Sequence, residues 1–599
     1  MNIKILKKLS QFERDYYFGK VLLLAMVLGV LLGLASILFY ILLDSVKYLA
    51  LESLIHYSDM PPSGQSPVFH RESNSTIRWL FFIVPALGGL ISGWIVYRFA
   101  PTAEGHGTEA AIAAYHSHEG RIPVRVPLVK AITSSLIIGT GGSGGKEGPI
   151  AQIGAGIGST LAEILRLSPR ERRVLLMSGV GAGIGAVFHS PLAGALFASE
   201  VLYREMEFEY EILVPVIISS VMAYSIFTIR FHWSSLFTTP VMKFVHPLEL
   251  IPYLILAVGI SCAAFLFVNI FEYTKSFFQR LAIPKYLRVG LGGFLAGVIA
   301  YFVPETVATS YQMLQKAFDS LQPSDMWFLF LFGFLKMFST SFTIGSGGSA
   351  GIFGPSIVIG GTIGGGIGLA LQHIFGDIIY DPRSYVLVGM AGFFSTAANT
   401  PLSTVVMVSE ITGNYSLLVP SIWVCIISFL LFRKATVYDS QRANHLDSPI
   451  HTGEFMEDIL KKLSIQDYLQ SCPREVKFFS PSTSLREMID VFTASDQVAF
   501  PVIDEEGRCL GVVESAVLRR IIREEKSLES IIVAQDIMDH PKTVVPSQSI
   551  FEVIKLFIHL QLEEVLIVDE ERPERMIGII SRRDLVDFYD KEMSHFLQR

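Results

Sequence analysis

This sequence has few charged residues and few cysteines. Only 17% of its 599 residues are Asp, Glu, Lys or Arg, whereas 51% are hydrophobic, and an ordinary soluble chain is about 25% charged. The net charge of -7 gives no indication of a nucleic-acid partner. The four cysteines, at 262, 425, 472 and 509, show neither the spacing of metal ligands nor a disulfide framework. We therefore predict no metal site and no required cofactor.

The shortage of charge is confined to one part of the chain. Between Lys20 and Lys434 charged residues are sparse and apolar runs repeat, whereas beyond Asp439 charged residues are frequent. The first run, 21–43, is long enough to cross a bilayer core of about 30 Å and too long for a cleavable signal peptide. Lysines at 4, 7 and 8 precede it, which favours a cytoplasmic N-terminus. The sequence predicts a multi-pass membrane protein with both termini in the cytoplasm.

Two of the later apolar stretches are interrupted by glycine-rich segments, 139–149 and 345–355, and both segments end in Gly-Pro. Irregular backbone at membrane depth is tolerated only where it is buried in protein or lines a water-filled cavity. A helix that starts at such a cavity presents free N–H groups and about half a positive charge, which suits an anion. These segments therefore predict an anion site.

The two glycine-rich segments belong to a longer repeat. Each is followed by Pro-Leu, a run of small apolar residues and Ser-Glu, at 191–200 and 401–410, and then by Leu-Val-Pro at 213–215 and 418–420. Transporters built from two related halves bind their substrate near the bilayer midplane, at interrupted helices. We predict an all-α polytopic domain, an inverted two-half repeat with broken helices, over residues 19–440 after an N-terminal segment 1–18.

The motifs G-K-E-G-P at 145–149 and G-I-F-G-P at 351–355 resemble motifs of the CLC family of chloride channels and chloride/proton antiporters. The resemblance covers residues 18–438 and continues into the tail. It implies chloride as the transported anion and a homodimer with one pore per subunit.

The resemblance also implies a gate. Glu147 would be the glutamate whose carboxylate competes with the anion, and an acid inside an uncharged span is costly and usually functional. A helix-capping role is the alternative interpretation. The predicted anion-binding residues are His106, Gly107, Lys146, Gly148, Ile352, Phe353 and Tyr438.

His106 is a departure from the family pattern. The stretch G-H-G-T-E at 105–109 has histidine where the family usually has serine and Glu109 where it usually has proline. A neutral imidazole N–H can donate to an anion, and a protonated ring attracts it more strongly. The alternative is that the ring turns away and a backbone amide binds the anion.

Val201 is a second departure. Antiporters of the family typically carry an internal glutamate at this position, directly after the equivalent of Glu200, and valine cannot carry a proton. Val201 favours a gated anion channel regulated by its tail. A proton-coupled antiporter remains the alternative, because Glu205, Glu207 and Glu209 lie nearby. A nucleotide-dependent enzyme is not predicted, since no catalytic triad or metal cluster is recognisable.

The tail contains two similar units, 464–534 and 535–599, after a linker at 441–463. Each has an amphipathic helix, a short buried strand, a turn and a second strand with its helix. The pair resembles CBS domains, and together they predict a soluble α/β domain. In the second unit Ser581 and Asp584 match positions that hold phosphate and ribose, so one hypothesis is an adenine nucleotide ligand. A structural, dimer-stabilising tail is the other.

Overall fold

The computed structural model describes residues 3–65, 67–69, 76–451, 459–471, 474–524 and 532–597, with side chains from residue 19 to 592 within those ranges. The chain divides into two compact units, Met1–Pro449 and Ile450–Arg599. The division falls inside the segment that we predicted as a linker, 441–463. Residues 441–449 are part of the first unit; the Gln441 side chain, for example, donates to the backbone carbonyls of Val201 and Ala398.

The first unit is helical. The first helix begins at Ile3, so the predicted N-terminal segment 1–18 and the first membrane span share one helix, which continues as a π-helix (Tyr48–Ile55). The α-helices are α1 (Ile3–Lys47), α2 (Leu80–Phe99), α3 (Thr108–Ser117), α4 (Arg125–Gly139), α5 (Glu147–Ile164), α6 (Pro169–Val187), α7 (Pro191–Glu200), α8 (Tyr210–Phe231), α9 (Leu250–Arg280), α10 (Lys285–Phe302), α11 (Tyr311–Asp319), α12 (Met326–Gly345), α13 (Phe353–Phe375), α14 (Arg383–Ala398), α15 (Pro401–Thr412) and α16 (Leu418–Phe432).

Six helical stretches of the described residues are long and apolar enough to cross a membrane. Large apolar side chains are exposed on them, among them Leu38 (68%), Ile229 (76%) and Trp327 (74%), as expected where the solvent is lipid. The multi-pass membrane domain is confirmed. The six stretches are Gly19–Ile55, Leu80–Phe99, Tyr210–Phe231, Pro247–Arg280, Pro323–Gly345 and Phe353–Ile378.

The two halves of the repeat pack in the same way. Helices α5 and α6 cross where a Cβ atom on Gly154 would lie 2.1 Å from the carbonyl oxygen of Gly179, and α13 and α14 cross where one on Gly360 would lie 2.5 Å from that of Gly389. Only glycine allows backbones to approach this closely. The glycines of the repeat are therefore explained by helix packing at equivalent crossings.

Contacts between the halves are reciprocal. Gly145 and Gly351 exchange two backbone hydrogen bonds, of 2.7 and 2.8 Å, as an antiparallel bridge between equivalent residues. The Glu200 carboxylate, at the end of α7, accepts the amides of Leu402 (3.0 Å) and Ser403 (2.8 Å) at the start of α15. Glu410, at the end of α15, accepts the amide of Ala193 at the start of α7 (2.9 Å). Such exchange indicates an approximate two-fold relation, and the repeated Ser-Glu supplies helix caps across it.

The second unit is a small α/β domain with two sheets, and the predicted fold class is confirmed. Strand β1 pairs antiparallel with β2; β4 pairs parallel with β3 and antiparallel with β5. The elements are α17 (Ile465–Ser471), α18 (Leu485–Thr493), β1 (Ala499–Ile503), β2 (Cys509–Glu514), α19 (Ser515–Glu524), α20 (Ala534–Ile537), β3 (Thr543–Val544), α21 (Ile550–Leu560), β4 (Glu564–Val568), β5 (Met576–Ser581) and α22 (Arg582–Leu597).

The two repeats of the tail share segments of their cores. Ile465 and Tyr468 of α17, at the start of the first repeat, are buried in the core of the second. Ala534, the first residue of the short helix α20 that leads from the first repeat into the second, is buried in the core of the first. The second repeat therefore depends on the first for a complete core.

Candidate functional site

The starts of α3, α5 and α13 meet in the middle of the first unit. A Cβ atom on Gly148 would lie 2.0 Å from the carbonyl oxygen of His106 and 3.0 Å from the Cα atom of Gly351, so the backbones of the three segments are in contact. In the described part of the chain, the N-cap residue of none of these three helices caps the helix start with its own side chain. Uncapped starts leave N–H donors and partial positive charge directed at one region, which suits an anion.

Glu147 lies in this region and is 1% exposed. Its Oε1 atom accepts a hydrogen bond from the hydroxyl of Tyr311 at 2.5 Å. Its Oε2 atom lies against Gly145 and Gly354, where added Cβ atoms would be 2.0 and 2.9 Å away. The carboxylate thus occupies space between the starts of α5 and α13. Tyr311 was not predicted, because it is 164 residues away in sequence and no motif marks it.

Phe353 begins α13, and its side chain packs in an aromatic cluster. Its ring lies 4.5 Å from that of Phe188 and 4.1 Å from that of Phe394, both edge-on. Because Ile352 is the N-cap residue and Phe353 the first residue of α13, their backbone amides lie at the helix start. This placement is compatible with their predicted role through the backbone.

His106 and Tyr438 come together on the other side of the helix starts. Their rings are 5.2 Å apart, and Tyr438 also shares a hydrogen bond with the side chain of Thr108, the first residue of α3. His106 lines a cavity of about 590 Å³ whose charged lining is three basic and three acidic side chains. These are Lys275, Lys285, Arg288, Glu104, Glu109 and Asp439. His106 is thus a buried residue at the edge of this cavity, 8% exposed.

Glu109, the residue that replaces the family's usual proline, holds the segment that carries Tyr438. Its carboxylate accepts hydrogen bonds from the backbone amide of Ser440, at 2.8 Å, and from the Ser440 hydroxyl. Asp439 forms an ion pair of 2.5 Å with Lys275 of α9. The segment is thus attached to both α3 and α9.

Lys146 is the predicted anion-binding residue whose side chain lies apart from the others. Its ammonium donates to the Gln65 side chain at 2.7 Å and stands 4.9 Å from the centre of the Tyr40 ring. It lines a separate cavity of about 50 Å³, on the Tyr311 side of the site. The structure therefore does not bring its ammonium together with His106 and Tyr438.

Val201 is fully buried at the end of α7. The neighbouring acids are hydrogen-bonded: Glu209 accepts from the hydroxyl of Tyr203 (2.9 Å) and Glu207 from the amide of His445 (2.6 Å), whereas Glu205 is exposed. No ionisable side chain stands at position 201 itself. A proton path from this side would have to use one of the neighbouring acids.

In the second unit, Ser581 and Asp584 form the start of α22. The Asp584 carboxylate accepts the amide of Ser581 (2.9 Å) and also pairs with Arg474 (3.0 Å), which in turn pairs with the buried Glu564 (3.1 Å). Partial burial lowers the pKa of Arg474, but Glu564 and Asp584 raise it by more, so that the net shift is upward. Arg474 therefore contacts the carboxylate that the sequence predicts as a ribose ligand.

Two comparisons place these residues among known proteins. The family described as "Voltage gated chloride channel" matches residues 88–433, and the CBS domain matches 467–524 and 533–591. The chain is 27% identical over 427 residues to the H(+)/Cl(-) exchange transporter ClcA of Salmonella paratyphi B, covering 70% of this chain and 86% of ClcA.

Solved structures share the fold. A slow cyanobacterial Cl-/H+ antiporter matches with a TM-score of 0.60 and 21% identity, over 74% of this chain and 98% of the antiporter. A eukaryotic CLC transporter matches with a TM-score of 0.57 and 18% identity, over 95% of this chain and 98% of that one, so the likeness extends into the tail. The family motifs lie at the helix starts that meet in the first unit, and a CBS pair follows them in the sequence. The chain belongs to the voltage-gated chloride channel, or CLC, family.

Proposed function

We propose that this protein passes chloride across a membrane through a pathway that the Glu147 carboxylate closes. The observation that carries the proposal is the position of this carboxylate, buried where uncapped helix starts converge. A fixed negative charge at an anion site stabilises the site when no anion is bound, and it must leave or become neutral before an anion can pass.

Protonation is the step that opens this gate. The Tyr311 hydroxyl donates to the carboxylate and so favours its charged, closed form. A proton arriving from the Tyr311 side neutralises Glu147, which then no longer competes with chloride for the helix N–H groups. Flux should therefore rise as the pH on that side falls.

Proton-coupled exchange is the second candidate. It is favoured by the similarity to ClcA, which is named as an H(+)/Cl(-) exchange transporter, and by the ability of Glu147 to carry a proton. Uncoupled passage is favoured by Val201, a buried apolar residue at the position of the second proton carrier. We place uncoupled passage first because exchange needs a proton path across the whole membrane, and Val201 interrupts the usual one.

We further propose a homodimer in the bilayer with both termini in the cytoplasm. The lysines at 4, 7 and 8 support this orientation through the positive-inside rule. Two observations support the homodimer: the resemblance to the family, and the exposed apolar faces of α8, with Val214 and Val221, and of α16, with Val419 and Ile422.

Replacement of Glu147 by glutamine tests the gate. Glutamine keeps the size of the side chain and removes its charge, so Glu147→Gln should behave as the permanently open form. We expect chloride flux in liposomes to equal or exceed the wild-type maximum and to be constant between about pH 5 and 8, because glutamine neither gains nor loses a proton in this range. Glu163→Gln, at the exposed end of the same helix α5, is the matched control and should keep the wild-type pH response. A pH response that survives in Glu147→Gln would show that the gate lies elsewhere.

Replacement of His106 by serine tests selectivity. Serine is the usual family residue at this position. Its side chain is smaller than the imidazole ring, and its hydroxyl makes a less directional hydrogen bond than a ring N–H. We expect the relative permeabilities of chloride, nitrate and bicarbonate to change about fivefold, the effect of about 1 kcal/mol in one hydrogen bond. Reversal potentials under bi-ionic conditions measure this. Permeability ratios identical to those of the wild type would mean that the ring does not contact the anion.

We also propose that the tail binds an adenine nucleotide at Asp584, in competition with Arg474.

Replacement of Arg474 by glutamine frees the carboxylate, and loss of a partly exposed ion pair of about 1 kcal/mol should raise ATP affinity about fivefold. Asp584→Asn, which retains an acceptor for the helix cap, should lower affinity, while Asp490→Asn on the exposed face of α18 should leave it unchanged. Calorimetry on the purified full chain measures all three. Absence of ATP binding in every variant would leave the tail a structural module.

A further inference from the structure

A fully buried lysine on α12, Lys336, has an unusual set of partners. Its ammonium donates to the backbone carbonyls of Thr306 (2.8 Å) and Ala308 (2.7 Å) and to the hydroxyl oxygen of Ser310 (2.7 Å). The Ser310 hydroxyl donates its own hydrogen to Val307, so its oxygen acts as an acceptor towards the lysine. These three acceptors match the three N–H groups of a lysine ammonium.

The turn that Lys336 binds is strained. Ala308 and Ser310 both have left-handed backbone conformations, with φ of 49° and 68°, which side chains with a Cβ atom adopt at a steric cost. A strained turn persists only where the surrounding structure holds it. The three hydrogen bonds from Lys336 end on this turn or next to it.

The first half of the repeat contains the same arrangement without the strain. Lys130 precedes Pro149 by 19 residues and Lys336 precedes Pro355 by 19. Lys130 donates to the carbonyls of Ala103 (3.0 Å) and Gly105 (2.6 Å), in a turn whose left-handed residues are Gly105 and Gly107. Glycine adopts this conformation freely. The second half has alanine and serine at the equivalent positions, so its turn depends more on its lysine.

The strained turn leads directly into the gate. Tyr311, which donates to Glu147, is the next residue after Ser310. The carbonyl of Ala308 also accepts the amide of Gly144 (3.2 Å), and the Thr309 hydroxyl donates to the carbonyl of Gly144 (3.3 Å). The turn is therefore connected to Tyr311, the hydrogen-bond donor to Glu147, and to Gly144 in the glycine-rich segment that precedes Glu147.

We infer that Lys336 is a positioning residue of the gate: it holds the 306–310 turn so that Tyr311 donates to Glu147, and it thereby sets the pH at which the pathway opens. The inference rests on the proposed gating function. The ionisable groups around this region are Lys146 beside Glu147, and Asp44, Lys47 and Asp59 lining the cavity that Tyr311 shares. Asp59 also acts electrostatically on Lys336, but Lys336 takes part in no ion pair within 4 Å among the described residues.

Chloride flux in liposomes as a function of pH tests this role. Without Lys336 the turn relaxes, Tyr311 leaves Glu147, and the carboxylate loses a donor that favours its charged form. We expect Lys336→Met to move the midpoint of the pH response upward by about one pH unit, the effect of one charge-assisted hydrogen bond. Tyr311→Phe should shift it equally, and the double variant should shift it no further. Lys316→Met, on the exposed side of α11, should keep the wild-type midpoint.

Relief of the backbone strain supplies a second test. Ala308→Gly in the Lys336→Met background should move the midpoint back towards the wild type, because glycine adopts the left-handed conformation without the lysine. If Lys336→Met does not fold, Ser310→Ala removes one of its three acceptors and should shift the midpoint upward by a smaller amount.

Two results separate this inference from the proposed function. If Glu147→Gln abolishes the pH response but the lysine, tyrosine and serine variants keep the wild-type midpoint, Lys336 has no positioning role and only this inference is wrong. If Glu147→Gln keeps the wild-type response, the gate itself has been misassigned and the inference fails with it.

Discussion

The two hydrogen bonds exchanged by Gly145 and Gly351 hold the starts of α5 and α13 together, and the anion site depends on this contact. Each helix start has N–H groups without side-chain caps, and two such ends repel one another unless a negative charge lies between them. Glu147 supplies that charge from within the chain. In the proposed function, chloride replaces this carboxylate at the same helix starts, so that one anion is exchanged for another.

The inverted repeat explains why this arrangement can be built at membrane depth. Broken helices leave backbone groups that lipid cannot satisfy, and here each half supplies partners to the other. Glu200 caps α15 while Glu410 caps α7, and a buried lysine in each half holds the turn before a helix start. The halves differ where function requires it, since one turn carries His106 and the other leads to Tyr311.

Much of this could be predicted from sequence because it is local. The glycine-rich segments, the Pro-Leu and Ser-Glu landmarks and the acid at 147 are recognisable within short windows, and the repeat relates them. Tyr311 and Lys336 were missed, because their significance comes from contacts with residues far away in the chain. The equal spacing of Lys130 and Lys336 from the two Gly-Pro pairs was a usable signal. The direction of the Lys146 side chain could not be predicted, since it depends on Gln65, which approaches from a distant loop.

Simultaneous recording of chloride and proton movement in liposomes containing the wild-type protein tests the central claim most directly. An outward chloride gradient is imposed, and the membrane potential is held with potassium and valinomycin. Passage gated by the Glu147 carboxylate, with Val201 in place of a second proton carrier, predicts that chloride leaves without moving protons against their gradient. Proton movement against the gradient, in fixed proportion to chloride, would contradict it and make the protein an exchanger.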